Sequence, residues 1–290
     1  MSRMHSPLRY PGGKSSLLGL ISDILKANKL EGCSYIEPYA GGCGLALSLL
    51  YGRFVSDIFV NDVDPSIWSF WYSVLNHNKE LTKLIAKKPV TIKEWKKQKI
   101  IQMEGDFSDP LKLGFSAFFL NRTNRSGIIT GAGVIGGIEQ KGNYKIDCRF
   151  NREDLIRRIS RVEKYKSQIH LSKMDAVKFM KRRSGFPEDS FFCIDPPYYN
   201  KGSSLYTSFY SPEDHSKVAD TVKALEYPWV VTYDSVDEIQ MLYKALRQFH
   251  FEINYSVQTK RVGQELLVAS KGLKLTKTIK EKCVPIFRVA

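Results

Sequence analysis

Short apolar runs followed by a carboxylate recur along this chain. The runs cover residues 34–36, 58–60, 169–171, 191–194 and 229–233, and the acids after them are Glu37, Asp62, Asp175, Asp195 and Asp234. Runs of this kind, without polar alternation, are typical of parallel strands buried on both faces. The carboxyl ends of parallel strands meet at one sheet edge, so the pattern predicts an acid-lined crevice there.

Helical periodicity fills the stretches between these runs. Apolar positions recur at helical spacing over residues 17–25, and an apolar helix is predicted at 45–50. Longer amphipathic helices are predicted at 75–88 and 92–102, and another begins at Pro212 with Ser211 as its cap. Residues 251–257 and 265–269 are predicted to form a closing β-hairpin. The whole pattern is that of an α/β fold.

Composition narrows the class of protein. The 290 residues favour one large domain, or one domain with an insertion. No apolar run approaches the roughly 20 residues of a membrane span, and no signal-peptide pattern opens the chain. Five widely spaced cysteines without a Cys-x-x-Cys pair indicate neither a disulfide framework nor a zinc site. We therefore expect a cytoplasmic protein with no membrane contact.

Charge points to a polyanionic partner. The net charge is +14, and residues 71–165 hold 19 Lys and Arg against 10 Asp and Glu, so this third of the chain has a net charge of +9. A clustered basic excess is typical of nucleic-acid binding, although a solvated basic surface would give the same count.

The sequence Asp195-Pro196-Pro197-Tyr198 follows the apolar run 191–194. The prolines cannot continue a central strand, so Asp195 is predicted to lie at a strand end before a stiff turn. A carboxylate, carbonyls beside prolines and the face of Tyr198 suit a planar ring with an exocyclic NH2 group. The alternative is a strand-ending turn with a solvated Asp195.

Two glycine-containing turns precede helices near the start of the chain. In the second, residues 41–44, the backbone can approach a ligand closely, and Asp62 lies 18 residues beyond Gly44, near the spacing at which a carboxylate binds ribose hydroxyls. The first reads Gly13-Lys14-Ser15, but a phosphate-binding loop would also need a glycine where Leu8 stands, so a nucleoside triphosphatase is not predicted.

These motifs together resemble one enzyme family. Asp-Pro-Pro-Tyr at 195–198, with the segments at 9–15, 34–44 and 58–64, resembles the motifs of Dam-type (D12 class) site-specific DNA adenine-N6 methyltransferases, in the same order along essentially the whole chain. The resemblance implies a seven-stranded, Rossmann-like, S-adenosylmethionine-dependent methyltransferase sheet. It also implies a catalytic domain at 1–70 and 166–290. Residues 71–165 would form an inserted, mostly helical DNA-recognition domain. The glycine-rich segment 128–146 within it predicts a flexible β-hairpin or a loop, and we expect the hairpin.

The resemblance assigns a cofactor and the residues that would hold it. Tyr10 and Lys14 match the residues that flank S-adenosylmethionine, and Glu37 and Gly41 match those that hold its methionine part. Asp62 matches the ribose-binding acid, and Asp175 the acceptor for the cofactor's adenine amine. Asp195 would contact both cofactor and substrate. No metal is expected, and the product would be S-adenosylhomocysteine.

For the substrate, the resemblance implies a flipped adenine in double-stranded DNA. Asp195 and the Pro196 carbonyl would accept from the adenine N6 amine, and Tyr198 would stack on the ring. Four residues are predicted to contact DNA: Asn121, Arg122, Arg125 and Thr130. Thr130 stands where GATC-specific members have an arginine that reads guanine, so a GATC target is not implied.

Three other functions remain open from the sequence. Cytosine-N4 methyltransferases share the amine geometry but usually begin the motif with Ser. RNA adenine methylases tend to have Asn there, and they lack the basic insert. A catalytically inactive DNA-binding protein is the alternative of a different class. The target sequence and a companion restriction enzyme are also open, as is a dimer, although a monomer is expected.

Overall fold

The computed structural model describes residues 5–9, 14–182, 184–199, 210–255, 261–275 and 283–285. Its strands are β1 (Cys33–Glu37), β2 (Val55–Asn61), β3 (Ile169–Ser172), β4 (Phe191–Ile194), β5 (Trp229–Asp234), β6 (Arg247–Tyr255), β7 (Arg261–Ala269) and β8 (Cys283–Pro285). They form a sheet with the order β3-β2-β1-β4-β5-β7-β6-β8. β1 to β5 run parallel, whereas β7, β6 and β8 are antiparallel to their neighbours. The seven predicted strands are confirmed, and β8 adds a short edge strand.

The described α-helices are α1 (Leu18–Ala27), α2 (Gly44–Tyr51), α3 (Pro65–Asn76), α4 (Asn78–Lys87), α5 (Ile92–Glu104), α6 (Pro110–Thr123), α7 (Arg152–Glu163), α8 (Ala176–Met180), α9 (Pro212–Lys223) and α10 (Asp237–Leu242). The helix predicted at 75–88 is divided at His77, whose backbone is not helical. The cap predicted for α9 is confirmed, because the Ser211 hydroxyl accepts from the Asp214 amide and the Asp214 carboxylate accepts in return. No described helix is both long enough and apolar enough to cross a membrane.

The centre of the sheet is buried on both faces. Every residue of β1 and β4 is buried, which explains why neither strand alternates between apolar and polar residues. One apolar cluster includes Ile21 of α1 and Leu49 of α2 on one side, and a second includes Phe179 of α8 and Val218 of α9. The helices therefore cover both faces of an open α/β sheet.

Helices α3 to α7 lie between β2 and β3, where the sequence places its basic insert. Phe70 of α3 stacks on Phe118 of α6, with ring centroids 5.6 Å apart, and both belong to the same buried cluster as Val60 of β2. The insert is mostly helical, as predicted. Its boundaries at residues 70/71 and 165/166 stay a prediction, since the hydrophobic core continues across them.

The β-hairpin predicted at 128–146 is wrong. This segment consists of turns, with one isolated bridge between Asn124 and Val134. The chain bends at Gly136, where φ is +83°, instead of extending. The side chain of Gln140 donates to the Ile135 carbonyl and accepts from the Ile146 amide. Side-chain bonds thus replace the strand-to-strand ladder that a hairpin would need.

Asn61, at the end of β2, joins three strand ends. Its amide nitrogen donates to the carbonyls of Pro38, after β1, and Met174, after β3, at 3.0 and 2.9 Å. Its amide oxygen accepts from the Met174 N–H at 2.9 Å. The chain order reverses between β1 and β4, and a crevice forms at such a point. Asn61 therefore fixes the edge that borders this crevice.

We expect Asn61→Ala to destabilise the fold, because it removes three hydrogen bonds from a fully buried site. The loss in the free energy of unfolding should be about 2–3 kcal/mol, measured by urea denaturation. Asn76→Ala is the control, since the Asn76 side chain bonds a carbonyl at the surface. Equal losses in the two variants would contradict the role given to Asn61.

Candidate active site

The strand ends bring together acids that are distant in sequence. Glu37 ends β1, Asp62 follows β2 and Asp195 follows β4. Because these strands are parallel neighbours, the three carboxylates lie along the same sheet edge, as the sequence predicts. β7 brings a fourth carboxylate, Glu265, which the sequence did not single out.

A single buried ammonium group links two of these acids. Lys14 Nζ lies 3.1 Å from Asp195 Oδ1 and 2.9 Å from Glu265 Oε2. The same Nζ is 3.4 Å from the Tyr198 hydroxyl. Lys14 and Glu265 are both buried. Burial of charges is tolerated when they are paired this closely, so the three charged groups form one unit.

Within the described part of the chain, the two carboxylate oxygens of Asp195 differ in their contacts. Oδ1 accepts from the Thr232 hydroxyl at 2.8 Å, in addition to its contact with Lys14. Oδ2 accepts no hydrogen bond from any residue that the structure describes, and 25% of the side chain is exposed. Burial raises the pKa of Asp195 to about 6, although Lys14 opposes the shift. The group can therefore present an oriented acceptor to a ligand.

Tyr198 differs from its prediction as an open stacking face. Its ring is only 5% exposed, and its hydroxyl donates to Glu265 Oε1 at 2.6 Å. Lys14 Nζ lies 5.3 Å from the ring centroid. The hydrogen bond and the nearby cation hold the ring inside the protein, where Tyr198 supports the Lys14–Glu265 pair. Pro196, beside it, is buried.

Glu37 is a buried acid with an unused oxygen. Only 7% of the residue is exposed, and Oε1 accepts from the Tyr35 hydroxyl at 3.0 Å. Oε2 is buried and has no hydrogen-bond partner among the described residues. Burial raises the pKa of Glu37 to about 8. A cationic amine would supply both the missing donor and the missing positive charge, which fits the methionine end of S-adenosylmethionine.

Asp62 holds the glycine turn. Its Oδ2 accepts from the Gly41 amide at 2.8 Å, and its Oδ1 from the Asp64 amide at 2.9 Å. Trp71 Nε1 donates to the Gly41 carbonyl at 2.8 Å and fixes the turn from the other side. Burial raises the pKa of Asp62 to about 7. Each oxygen keeps a lone pair, so ribose hydroxyls could also bind here.

Asp175 is placed at an exposed helix start. Its carboxylate accepts from the Lys178 amide at 3.0 Å and so caps α8. The loop before it is tied to β2 through Asn61. Asp175 thus lies after β3 on the acidic edge, as predicted, with a structural role that the sequence did not anticipate.

Tyr10 and Asn121 are not found as site residues in the described structure. Tyr10 lies outside the described residues. Asn121 is fully buried, so its prediction as a DNA contact is wrong. Its side chain accepts from the Arg9 amide at 2.8 Å and donates to the carbonyls of Arg9 and Gly127 at 2.6 and 2.7 Å. Asn121 therefore positions the N-terminal loop.

The other three predicted DNA contacts differ in exposure. Arg125 and Thr130 are exposed, as a DNA contact requires. Arg122 is 7% exposed, and burial lowers its pKa to about 9, with further lowering from Arg158 and Arg9. A positive charge in this surrounding is electrostatically unfavourable without an anion nearby.

The sequence does not predict two residues that contact Lys14 and Asp195, namely Glu265 and Thr232. Both lie inside strands of the C-terminal part of the sheet and carry no motif. The available signal was a charged residue in the apolar strand 265–269, since a buried acid needs a partner. Among the described residues no three His, Cys, Asp or Glu side chains are grouped so that they could hold a metal ion.

The sequence matches the model of a known protein family. A model of the D12 class N6 adenine-specific DNA methyltransferase family matches residues 10–261. No curated protein matches the sequence.

Two solved structures illustrate the distant structural matches. A conserved hypothetical protein from Streptococcus pyogenes has 13% identity and a TM-score of 0.33, with 84% of this chain and 89% of that one covered. The rRNA methyltransferase aviRa from Streptomyces viridochromogenes has 13% identity and a TM-score of 0.38, with coverage of 90% and 86%.

The pKa of Glu37 makes a prediction about stability. The folded state keeps a proton that the unfolded chain releases between about pH 4.5 and 8. The contribution of Glu37 to the free energy of unfolding therefore falls as pH rises through this window, by up to about 1.4 kcal/mol per pH unit. Glu37→Gln removes this dependence, so the variant should gain stability relative to the wild type between pH 5.5 and 7.5.

Urea denaturation at three pH values across that range measures the effect. Glu31→Gln, at an exposed position, is the control and should track the wild type. A stability difference between Glu37→Gln and wild type that stays constant with pH would show that Glu37 is ionised in the folded protein.

Proposed function

The chain belongs to the D12 class N6 adenine-specific DNA methyltransferase family, and on that premise we propose that it moves a methyl group from S-adenosylmethionine to the N6 of an adenine flipped out of double-stranded DNA. Family membership makes it an enzyme that methylates adenine in DNA. The proposal adds the methyl donor, the flipped base and the residues. It rests on Asp195, whose Oδ1 is anchored by Lys14 and Thr232 while Oδ2 stays open.

Asp195 would act on the adenine amine. The nitrogen lone pair of that amine is delocalised into the ring and is a weak nucleophile. Hydrogen bonds from the NH2 group to Asp195 Oδ2 and to the Pro196 carbonyl would localise the lone pair and aim it outward. As N6 becomes positive during transfer, the carboxylate stabilises the charge in a partly dry site. Above about pH 6 Asp195 is ionised, as this role requires.

Lys14, Glu265 and Tyr198 keep Asp195 in position. Lys14 is fixed between the two carboxylates, and Tyr198 holds Glu265 by its hydroxyl. Asp195 therefore cannot turn its Oδ1 toward the substrate without losing a charge-assisted hydrogen bond. Stacking of Tyr198 on the base stays a prediction, since the ring is buried here.

Bound S-adenosylmethionine would supply a methyl group made electrophilic by its sulfonium. Glu37, with its unused buried oxygen, suits the amine of the methionine part. Gly41 and Asp62 suit the close approach and the ribose hydroxyls, and the exposed Asp175 suits the adenine amine. Tyr10 and Lys14 complete the set that the family resemblance implies.

DNA would approach the basic insert. The N6 amino group of adenine is inaccessible inside a DNA duplex, so the adenine must leave the base stack to reach Asp195. The exposed Arg125 and Thr130 are candidates for backbone and base contacts. With DNA as its substrate, the protein is expected to work in the cytoplasm, in association with the nucleoid. A monomer and a companion restriction enzyme remain expectations.

We expect Asp195→Ala to lose at least about 10³-fold in methyl transfer, because the group that stabilises the developing charge is gone. Incorporation of a tritiated methyl group into duplex DNA measures this, with DNA affinity measured in parallel and expected to stay near that of the wild type. Asp189→Ala, an exposed position just before the same strand, is the matched control. Activity of Asp195→Ala within tenfold of that control would remove Asp195 from the mechanism.

S-adenosylmethionine binding separates this enzyme from an inactive DNA-binding protein. Calorimetry should show binding to the wild type without DNA. Asp62→Ala should bind about 10- to 100-fold more weakly, because hydrogen bonds to a charged group and the anchor of the glycine turn are lost. Asp147→Ala, an exposed change of the same charge, should bind like the wild type. No heat with wild-type protein would refute the proposed methyl donor.

A further inference from the structure

Four arginines converge where the N-terminal loop meets α6 and α7. They are Arg9, Arg122, Arg149 and Arg158. Arg122 interacts electrostatically with each of the other three, and Arg9 also with Arg149. Asp154 is the acid that acts on Arg122. Of the charged side chains that act on Arg122, three are therefore arginines and one is a carboxylate.

That carboxylate is already engaged. Asp154 Oδ2 lies 2.6 Å from Arg158, and Oδ1 pairs with Arg157 on the outer side of α7. Arg158 also donates to the Ser6 carbonyl at 3.0 Å. Neither Arg9 nor Arg122 has a carboxylate within salt-bridge distance among the described residues. The positive charge of the cluster therefore exceeds what its own acid can balance.

Two buried N–H groups in the cluster point to a missing anion. Arg122 Nε is buried and has no hydrogen-bond partner among the described residues, and the same holds for Arg9 Nη1. Buried guanidinium groups normally have acceptors, because leaving the donor unsatisfied in a dry site is unfavourable. An anion with several oxygens would satisfy both donors.

The position of Arg9 is built into the fold. Asn121 bonds both the amide and the carbonyl of Arg9. Gly127 packs so closely that a Cβ there would lie 2.4 Å from the Arg9 carbonyl oxygen. The fold thus holds Arg9 beside Arg122 although their charges repel. Such an arrangement is preorganised for a ligand whose charge removes the repulsion.

We propose that Arg9, Arg122, Arg149 and Arg158 form a seat for one phosphodiester group of the DNA backbone. The planar guanidinium fork matches phosphate oxygens with paired hydrogen bonds. Arg122, Arg149 and Arg158 belong to the basic insert, and the exposed Arg125 follows Arg122 by three residues in the chain. This inference rests on the proposed function for the identity of the polyanion. Free inorganic phosphate shares the same chemistry and must be separated from DNA by experiment.

The seat also lies next to the catalytic network along the chain. Arg9 is five residues before Lys14, which holds Asp195. Phosphate bound at Arg9 would therefore lie close in sequence to the Lys14 segment. The seat would then help to position DNA relative to the site, in addition to its contribution to affinity.

Two variants test the seat. Arg122→Met removes a buried charge while keeping most of the side-chain volume, and Arg149→Ala removes an exposed charge with little effect on folding. The control is Lys164→Ala, which removes one exposed charge just after α7. Affinity for a duplex is measured by fluorescence anisotropy at several NaCl concentrations, without cofactor. Thermal unfolding is measured without DNA.

We expect each cluster variant to bind DNA about tenfold more weakly and to reduce the slope of log affinity against log salt by about 0.9. Arg122→Met should unfold at the same temperature as the wild type or higher, since an unbalanced buried charge has been removed. Lys164→Ala should keep the wild-type slope. This combination of weaker DNA binding with retained stability supports the seat.

Other outcomes overturn the proposed phosphate seat. Wild-type slopes in both cluster variants would exclude these arginines from the DNA contact, while the proposed function would stand as long as the wild type binds and methylates DNA. A lower unfolding temperature of Arg122→Met with an unchanged slope would make Arg122 structural.

A further experiment measures the thermal unfolding temperature with inorganic phosphate and compares it with that in NaCl of equal ionic strength. Protection by phosphate that the cluster variants lose, with unchanged DNA slopes, would assign the cluster to a free anion and overturn the DNA seat. A wild-type protein that binds no duplex would instead refute the proposed function, and the seat with it.

Discussion

The ammonium group of Lys14 is the interaction on which the candidate site depends. It is buried between the carboxylates of Asp195 and Glu265, and it joins the N-terminal segment, the loop after β4 and the antiparallel strand β7. A buried charge that loses its partner is strongly unfavourable, so these three parts of the chain can only pack together in this arrangement. The open oxygen of Asp195 follows from it, because Lys14 and Thr232 both use the other oxygen.

Two regions of opposite charge lie on either side of that interaction. The sheet edge collects acids whose burial raises their pKa values, among them Glu37 and Asp62. The junction of the N-terminal loop with α6 and α7 collects arginines, and burial lowers the pKa of Arg122. In each region one charge type prevails among the described residues: Lys14 pairs with Asp195 and Glu265 at the acidic edge, and Asp154 pairs with Arg158 among the arginines. The acidic edge suits a cationic ligand and the arginines suit an anionic one, and Asn121 holds the backbone of Arg9 among the arginines.

The sequence predicted the part of the site that depends on strand ends. Glu37, Asp62 and Asp195 each follow an apolar run, and parallel pairing is enough to align such residues at one edge. The sequence predicted less well those features that depend on long-range packing. The glycines at 128–146 predict a hairpin because glycines are frequent in hairpins as well as in other turns. In the structure the segment forms turns that the Gln140 side chain closes by hydrogen bonds. Asn121 was taken for a DNA contact, yet packing turns it inward to bind the Arg9 backbone.

By itself, then, the sequence determined the α/β sheet, the order of its acidic strand ends and the family, because these depend on local periodicity and on short motifs. Only the tertiary structure decided that Lys14 and Thr232 use the same oxygen of Asp195, that Glu265 shares its lysine, and that Arg122 faces three other arginines. Lys14 and Glu265 are some 250 residues apart, and Arg9 and Arg158 about 150. No local pattern encodes such pairs, since the folding of the whole sheet brings them together.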